Sequence, residues 1–164
     1  MKIQIAELIN DSIVDGKGLR LAIYVQGCSH HCKGCHNPQT HDPSGGKTID
    51  TEEIWKVVKK NPLLDGLTFS GGEPMEQPLP LVDLAQKAKN SGMSIWCYTG
   101  YTWEELIAAM DPRRELLSLV DVLVDGPFLL EQRTLSLPFR GSRNQRIIDV
   151  TKSLSSGEIV RFME

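Results

Sequence analysis

The stretch YVQGCSHHCKGCHNP, Tyr24 to Pro38, decides how the rest of the chain is read. It begins inside an apolar, β-rich run, LRLAIYVQ (Leu19 to Gln26), that stops at Gly27. Such a run, closed by a glycine, predicts a buried strand. Three cysteines follow at once: Cys28, Cys32 and Cys35. The segment then passes into NPQTHDPSGGK, a polar loop rich in proline and glycine. Three thiols therefore sit on a loop at the end of a strand, and they need a partner. Structural zinc takes four closed ligands, and His30, His31, His36 or His41 are at hand to complete such a set. Zinc knuckles, however, bring their ligands as two separated pairs, and here there is one compact triplet. A [4Fe–4S] cluster is normally held by four cysteines; three leave one iron open to a substrate, as catalytic zinc leaves one position open. Spacing favours the cluster and leaves zinc as the alternative. Cys97, far away in the run IWCYT, reads as a small buried apolar residue rather than a fourth ligand.

Working outward, the chain alternates strands and helices. KIQIAEL is a weak strand candidate. Thr51 is placed as the cap of a helix in TEEIWKVVKK, with Ile54, Val57 and Val58 on one face. GLTFS is a short strand that runs into GGEP, Gly71 to Pro74. A helix follows, carrying Leu81, Leu84, Ala85 and Ala88 at helical spacing. MSIWCYT is a strand that meets Gly100. The next helix has Trp103, Leu106, Ile107 and Met110 on one stripe and stops near Pro112. DVLVDG reads as a buried parallel strand, and NQRIIDV and EIVRFM as weaker strands. Strands separated by helices imply βα units and a parallel sheet in one domain over residues 1–164. A full eightfold barrel takes about 250 residues. The chain is too short for that, so a partial barrel or an open α/β sheet is expected. The cysteines, SGGEP, YTGY and VDGPF each follow a strand directly, which places them together on the strand-end rim where such folds build their sites.

Composition limits the partners. The chain has 164 residues, 40% of them apolar and 24% charged, which suits one domain with a real core. Its formal net charge of −3 gives no footprint for nucleic acid or an anionic membrane. No apolar run is long enough to span a bilayer. The opening MKIQIAELINDS is broken by Glu7, Asn10 and Asp11 and has no signal-peptide core. A cytoplasmic location is expected, where thiols stay reduced and clustered cysteines serve metals.

At this point the motifs add up to a resemblance. The C-x3-C-x2-C triplet followed by SGGEP resembles the radical S-adenosylmethionine enzymes. The ordered set DGKGLRLAIYVQGCSHHCKGCHNPQTHD, FSGGEP, YTGYTWEEL, DVLVDGPF and FRGSRNQRIIDV is similar, more narrowly, to the activating enzymes of anaerobic ribonucleoside-triphosphate reductases. These segments run from Asp15 to Val150. The resemblance implies a partial (βα) barrel of parallel strands of the radical S-adenosylmethionine type. It implies that Cys28, Cys32 and Cys35 each bind one iron of a [4Fe–4S] cluster, and that the amino and carboxylate groups of S-adenosylmethionine chelate the fourth. One electron then cleaves the sulfonium S–C5′ bond, giving methionine and a 5′-deoxyadenosyl radical that takes a hydrogen atom from a glycine Cα of the reductase. A low-potential electron donor such as flavodoxin is implied as a second partner.

The same resemblance assigns the accessory residues. Gly71 and Gly72 receive the methionine end, and Glu73 is open between a contribution there and a strand-end polar role. Gly34, Cys35 and His36 line the adenine side; the superfamily often has an aromatic residue before the last cysteine, and this chain has Gly34. Thr99 and Tyr101 reach ribose or carboxylate, or serve the turn. Asp15, Gly16 and Gly18 form a tight loop, Arg20 and Arg140 read as surface charge, and His30, His31 and His41 as loop residues. Gly126 to Phe128 and Arg140 to Arg146 are placed at the rim of an opening for the partner, with Arg143 on the docking face. The alternatives are an activator of another glycyl-radical enzyme such as pyruvate formate-lyase, a zinc-binding adaptor, and an electron-transfer iron–sulfur protein.

Overall fold

The computed structural model describes all residues from Met1 to Glu164. Eight strands form one sheet: β1 (Lys2–Ser12), β2 (Arg20–Val25), β3 (Lys47–Asp50), β4 (Gly66–Gly71), β5 (Ser94–Tyr98), β6 (Val122–Asp125), β7 (Arg146–Asp149) and β8 (Arg161–Met163). Their order across the sheet is β3-β1-β2-β4-β5-β6-β7-β8. The central four, β2, β4, β5 and β6, are parallel. The flanks are antiparallel: β1 and β3 on one side, β7 and β8 on the other. The expected parallel sheet thus holds for the centre only. NQRIIDV pairs with β6 antiparallel, because the long segment 126–145, which holds no α-helix, returns the chain beside β6 instead of a helical crossover.

Five helices complete the chain: α1 (Thr51–Lys59), α2 (Pro78–Asn90), α3 (Trp103–Ile107), α4 (Pro112–Leu119) and α5 (Val150–Ser156). Strand alternation separates the two faces of the sheet. Leu21, Ile23, Leu67, Phe69, Ile95 and Leu123 point to the helices and join Ile54, Leu81, Leu84, Leu106 and Leu116 in the main core. Cys97 belongs to this face and is fully buried. The other face carries Trp96, Val122, Val124 and Ile147, with Tyr98 and Phe139 packed against them.

Several sequence expectations need correction. The cap of α1 is Asp50, whose carboxylate accepts from Glu52 N, and Thr51 is the first helical residue. The stripe expected through Met110 ends at Ile107; Met110 is fully exposed, and Pro112 opens α4 where it was read as a stop. Proline suits the first helical turn, and Asp111 caps it by accepting from Arg113 N at 3.0 Å. Arg20 is no surface charge. It is 1% exposed and donates to Thr68 Oγ1, Lys17 O, Leu67 O and Ser94 O. Burial pulls its pKa down to about 10, so it remains charged at neutral pH while tying β2, β4 and β5 together.

Candidate active site

The cysteine loop is anchored at its base. Gly27 N donates to Thr40 O at 2.6 Å and Cys28 N to His41 O at 3.1 Å, which closes residues 28–40 as one loop. Gln26, buried at the end of β2, reinforces the closure through Nε2, which donates to Gln39 O and Asp42 O. Within the loop, Cys35 N donates to Cys32 O. Gly27 and Gly34 take positive φ, +106° and +75°, which the tight path requires. All three cysteines are free and half-buried. Burial pushes the Cys28 thiol up to about 11, so an electropositive metal is needed to hold it as thiolate at neutral pH.

Beside this loop lies the end of β4. A Cβ on Gly71 would stand 2.6 Å from Val25 N, and one on Gly72 would stand 2.3 Å from Gly27 O. Both glycines are therefore required by backbone packing against β2 and the cysteine loop. At Gly71 the space a side chain would need is filled by β2, and at Gly72 by the base of the cysteine loop.

Glu73 is the hub. Its side chain is 1% exposed and accepts from four donors: Met75 N at 2.8 Å, Gly100 N at 2.7 Å, Thr99 Oγ1 at 2.8 Å and His30 Nε2 at 2.6 Å. Its own backbone N donates to Gly27 O. One carboxylate thus joins the β4 end, the β5 end and the cysteine loop. The hydrogen bond to Glu73 raises the pKa of His30, against the opposing effect of burial. The His30 ring also packs edge-on against Tyr101, with centroids 4.7 Å apart. His30, read from sequence as a loop residue, is a structural partner of the hub. Nothing in the spacing of HH announced this, since the carboxylate it meets lies 43 positions away. Thr99 is buried and its hydroxyl is engaged, donating to Glu73 and accepting from Tyr101 N.

These elements enclose a cavity of about 430 Å³. Cys28, Cys32, Cys35 and His36 line one wall, and Gly71, Gly72, Glu73 and Thr99 line the adjoining one. Gly34 lies outside the lining; its turn packs beneath Leu130. The His36 ring stands 5.0 Å from Phe128. Gly126, Phe128, Arg140, Gly141 and Gln145 also reach the cavity, while Arg143 is exposed away from it. Arg140 is half-buried and donates to Gln145 O and Glu164 O, so it too is more than surface charge. Sequence reasoning missed Tyr98, Leu137 and Phe139 on the wall. The last two belong to an aperiodic segment whose burial no pattern signals.

The donor set fits a cluster. Three thiols share one wall, yet no three His, Cys, Asp or Glu side chains are placed to hold a single metal ion. Zinc at about 2.3 Å from each sulfur needs thiolates drawn together on one point. In a cubane each thiolate meets a different iron, so the sulfurs stand farther apart. Cys97 points to the opposite face of β5 from Tyr98, which lines the cavity, and burial holds its thiol pKa well above the ordinary range.

Known proteins resemble the chain over most of its length. Residues 14–148 match the family of 4Fe-4S single cluster domains. The anaerobic ribonucleoside-triphosphate reductase-activating protein of Vibrio cholerae is 39% identical over 143 residues, covering 82% of this chain and 90% of that protein. Its namesake in Escherichia coli K12 is 36% identical, over 81% and 90%. That of bacteriophage T4 is 35% identical, over 82% and 86%. Among solved structures, Escherichia coli QueE superposes with a TM-score of 0.50 at 23% identity, over 62% of this chain and 54% of that one, a likeness of fold. With three free thiols on a cavity wall and relatives matching nearly end to end, the chain belongs to the family of anaerobic ribonucleoside-triphosphate reductase-activating proteins.

Proposed function

We infer that the chain activates an anaerobic ribonucleoside-triphosphate reductase by generating a radical on one of its glycines, using a [4Fe–4S] cluster and S-adenosylmethionine. The observation that carries this reading is the gathering of Cys28, Cys32 and Cys35 on one cavity wall beside the Gly71–Gly72–Glu73 turn. Cys28, Cys32 and Cys35 would hold the cluster, which would supply the one electron for reductive cleavage of S-adenosylmethionine and so the hydrogen-abstracting chemistry that leaves a radical on the glycine.

The chain's own residues set the stage for that transfer. Cys28, Cys32 and Cys35 hold the irons, and the loop closure at Gly27 and Cys28 fixes their spacing. Glu73 ties His30 of the loop to the ends of β4 and β5, which fixes where the loop stands beside the cavity. The backbone of Gly71 and Gly72 presents the methionine end of the pocket, and Cys35 and His36 its adenine side, with Phe128 backing the His36 ring. Gly34 serves by its left-handed turn, and Thr99 by orienting Glu73.

The partial-barrel reading rests on curvature. Phe162 in β8 packs on Trp96 in β5 with ring centroids 5.5 Å apart. Three strand spacings of about 4.8 Å separate these strands. A flat sheet would keep the rings well apart, so the sheet bends its cavity face inward. The electron comes from a low-potential donor such as flavodoxin. A cytoplasmic setting suits the free thiols; no helix is long and apolar enough to cross a membrane.

The test is anaerobic reconstitution with iron and sulfide. A brown protein is expected, whose reduced paramagnetic signal changes when S-adenosylmethionine is added, and which produces a glycyl doublet on the reductase. A colourless protein that takes one zinc per chain would overturn the reading.

A further inference from the structure

Several apolar residues that line the cavity have no part in the cofactor reading: Val14, Tyr98, Val124, Leu137 and Phe139. Two nearby segments carry strongly exposed aliphatic side chains. One is the β1–β2 turn, where Ile13 is 72% and Val14 73% exposed. The other is the segment from Pro127 to Gln145, where Leu135 is 84% exposed. Val14 and Leu135 both line the cavity and both face solvent. Isolated aliphatic side chains are common on surfaces, but exposed ones that also line a cavity are placed to meet what enters it. The turn is rigidly held from behind. Asp15 accepts from Tyr24 OH at 2.7 Å, Thr68 Oγ1 donates to Asp15 O at 2.6 Å, and Gly16 sits so close to Trp96 that a Cβ there would stand 2.7 Å from the ring. The opposite segment is also tied, through Leu129 N to Ser142 Oγ and Arg143 N to Gln132 O.

We propose that Val14 and Leu135 form part of a docking site for the glycine-bearing loop of the reductase, which enters the cavity past them. The proposal rests on the activase reading. Hydrogen transfer requires the glycine Cα to come within about 3–3.5 Å of the reacting carbon. That carbon can lie only in the cavity the thiols share, so the partner's backbone must pass its mouth. A glycine at the tip of the entering loop has no side chain, so its Cα can approach the reacting carbon closely. The flanking residues of the loop then bury Val14 and Leu135, which are left in water until the partner arrives.

The experiment uses the reconstituted holoenzyme and full-length reductase. Val14→Asp, Leu135→Asp and the conservative Leu135→Met are compared with Met110→Asp, an exposed control outside the cavity. Two quantities are read: the reductase concentration giving half-maximal glycyl doublet, and methionine released by the activator alone under strong reductant. Each Asp variant is expected to raise the half-maximal concentration about tenfold or more, the usual loss for a central apolar contact. Leu135→Met and Met110→Asp should stay near wild type, and methionine release should be unchanged throughout. An unchanged half-maximal concentration in the Asp variants would overturn the docking site. A parallel fall in methionine release would also overturn it, assigning these residues to the cofactor pocket. Failure of the wild-type protein to produce any glycyl doublet would instead strike the activase reading itself.

Discussion

Glu73 concentrates four donors on one buried carboxylate, and each of them comes from a segment that borders the cavity. Glu73→Gln keeps the shape but turns an acceptor into a donor, so at least one N–H or O–H is left facing another donor. Leaving a buried polar group unpaired costs about 1–3 kcal/mol. For a chain of this size that lowers Tm by about 3–10 °C. Thermal unfolding of the metal-free protein should show that drop, and the reconstituted variant should hold less iron; an unchanged Tm would remove Glu73 from its place as the hub. The cysteines make a second contrast. Cys28→Ala, Cys32→Ala or Cys35→Ala should each abolish stable cluster assembly, measured as iron and sulfide per chain. Cys97→Ala should keep the full iron content, because that thiol faces the helix layer across the sheet from the cavity. Retention of a full cluster by Cys35→Ala, with loss in Cys97→Ala, would reverse the assignment. The ligand triplet was legible in the sequence because its spacing is local. The hub was only half legible: Glu73 stood out in GGEP, but its partners His30 and Thr99 come from other segments and no local pattern links them.

At the scale of elements, Gly72 carries a packing role beside its proposed place at the methionine end of S-adenosylmethionine. The space a side chain would need is taken by Gly27 O and Thr40 O, the two sides of the cysteine-loop closure. Gly72→Val should therefore displace the loop base and reduce iron content as well as S-adenosylmethionine binding. Iron analysis beside equilibrium binding decides the matter: normal iron with weakened binding alone would remove the packing role. The central strands were legible because LRLAIYVQ, GLTFS, MSIWCYT and DVLVDG are apolar runs bounded by turn residues, and all four became β2, β4, β5 and β6. The misses have physical causes. Pro112 both ends one pattern and starts another helix, and sequence alone does not say which. β3 is a four-residue edge strand whose partner, β1, lies over forty positions earlier. Val150 closes the run RIIDV by starting α5, since Asp149 caps the helix by accepting from Lys152 N. The antiparallel return of β7 depends on a loop without periodicity, so the strand was visible and its direction was not.

For the whole molecule, the question is whether the fold depends on its metal. The main core is built from the helices and the helix-facing side of the sheet, and only Cys97 among the cysteines belongs to it. The loop carrying Cys28, Cys32 and Cys35 hangs on the strand-end rim and adds no residue to that core. Small zinc domains behave otherwise, because their ligands stand in for a core they lack. Here the chain has enough buried apolar surface to fold without metal. Iron removal should thus leave cooperative unfolding intact and loosen the rim alone. Native-state hydrogen exchange of the metal-free and reconstituted protein, both under anaerobic conditions, makes the prediction specific. Amides of β2, β4, β5 and α2 should exchange at the same rates in both forms, since they open only with global unfolding. Protection gained on loading should be confined to the loop from Cys28 to His41 and to its neighbours at Gly72, Glu73 and Gly100, whose amides donate to Val25 O, Gly27 O and the Glu73 carboxylate beside the loop base. A metal-free protein whose central strands exchange freely would mean that the cluster is part of the folding core. Uniform rates at the loop in both forms would mean that Glu73 and the loop closure alone already hold the thiols in place, with the cofactor arriving at a fully formed site.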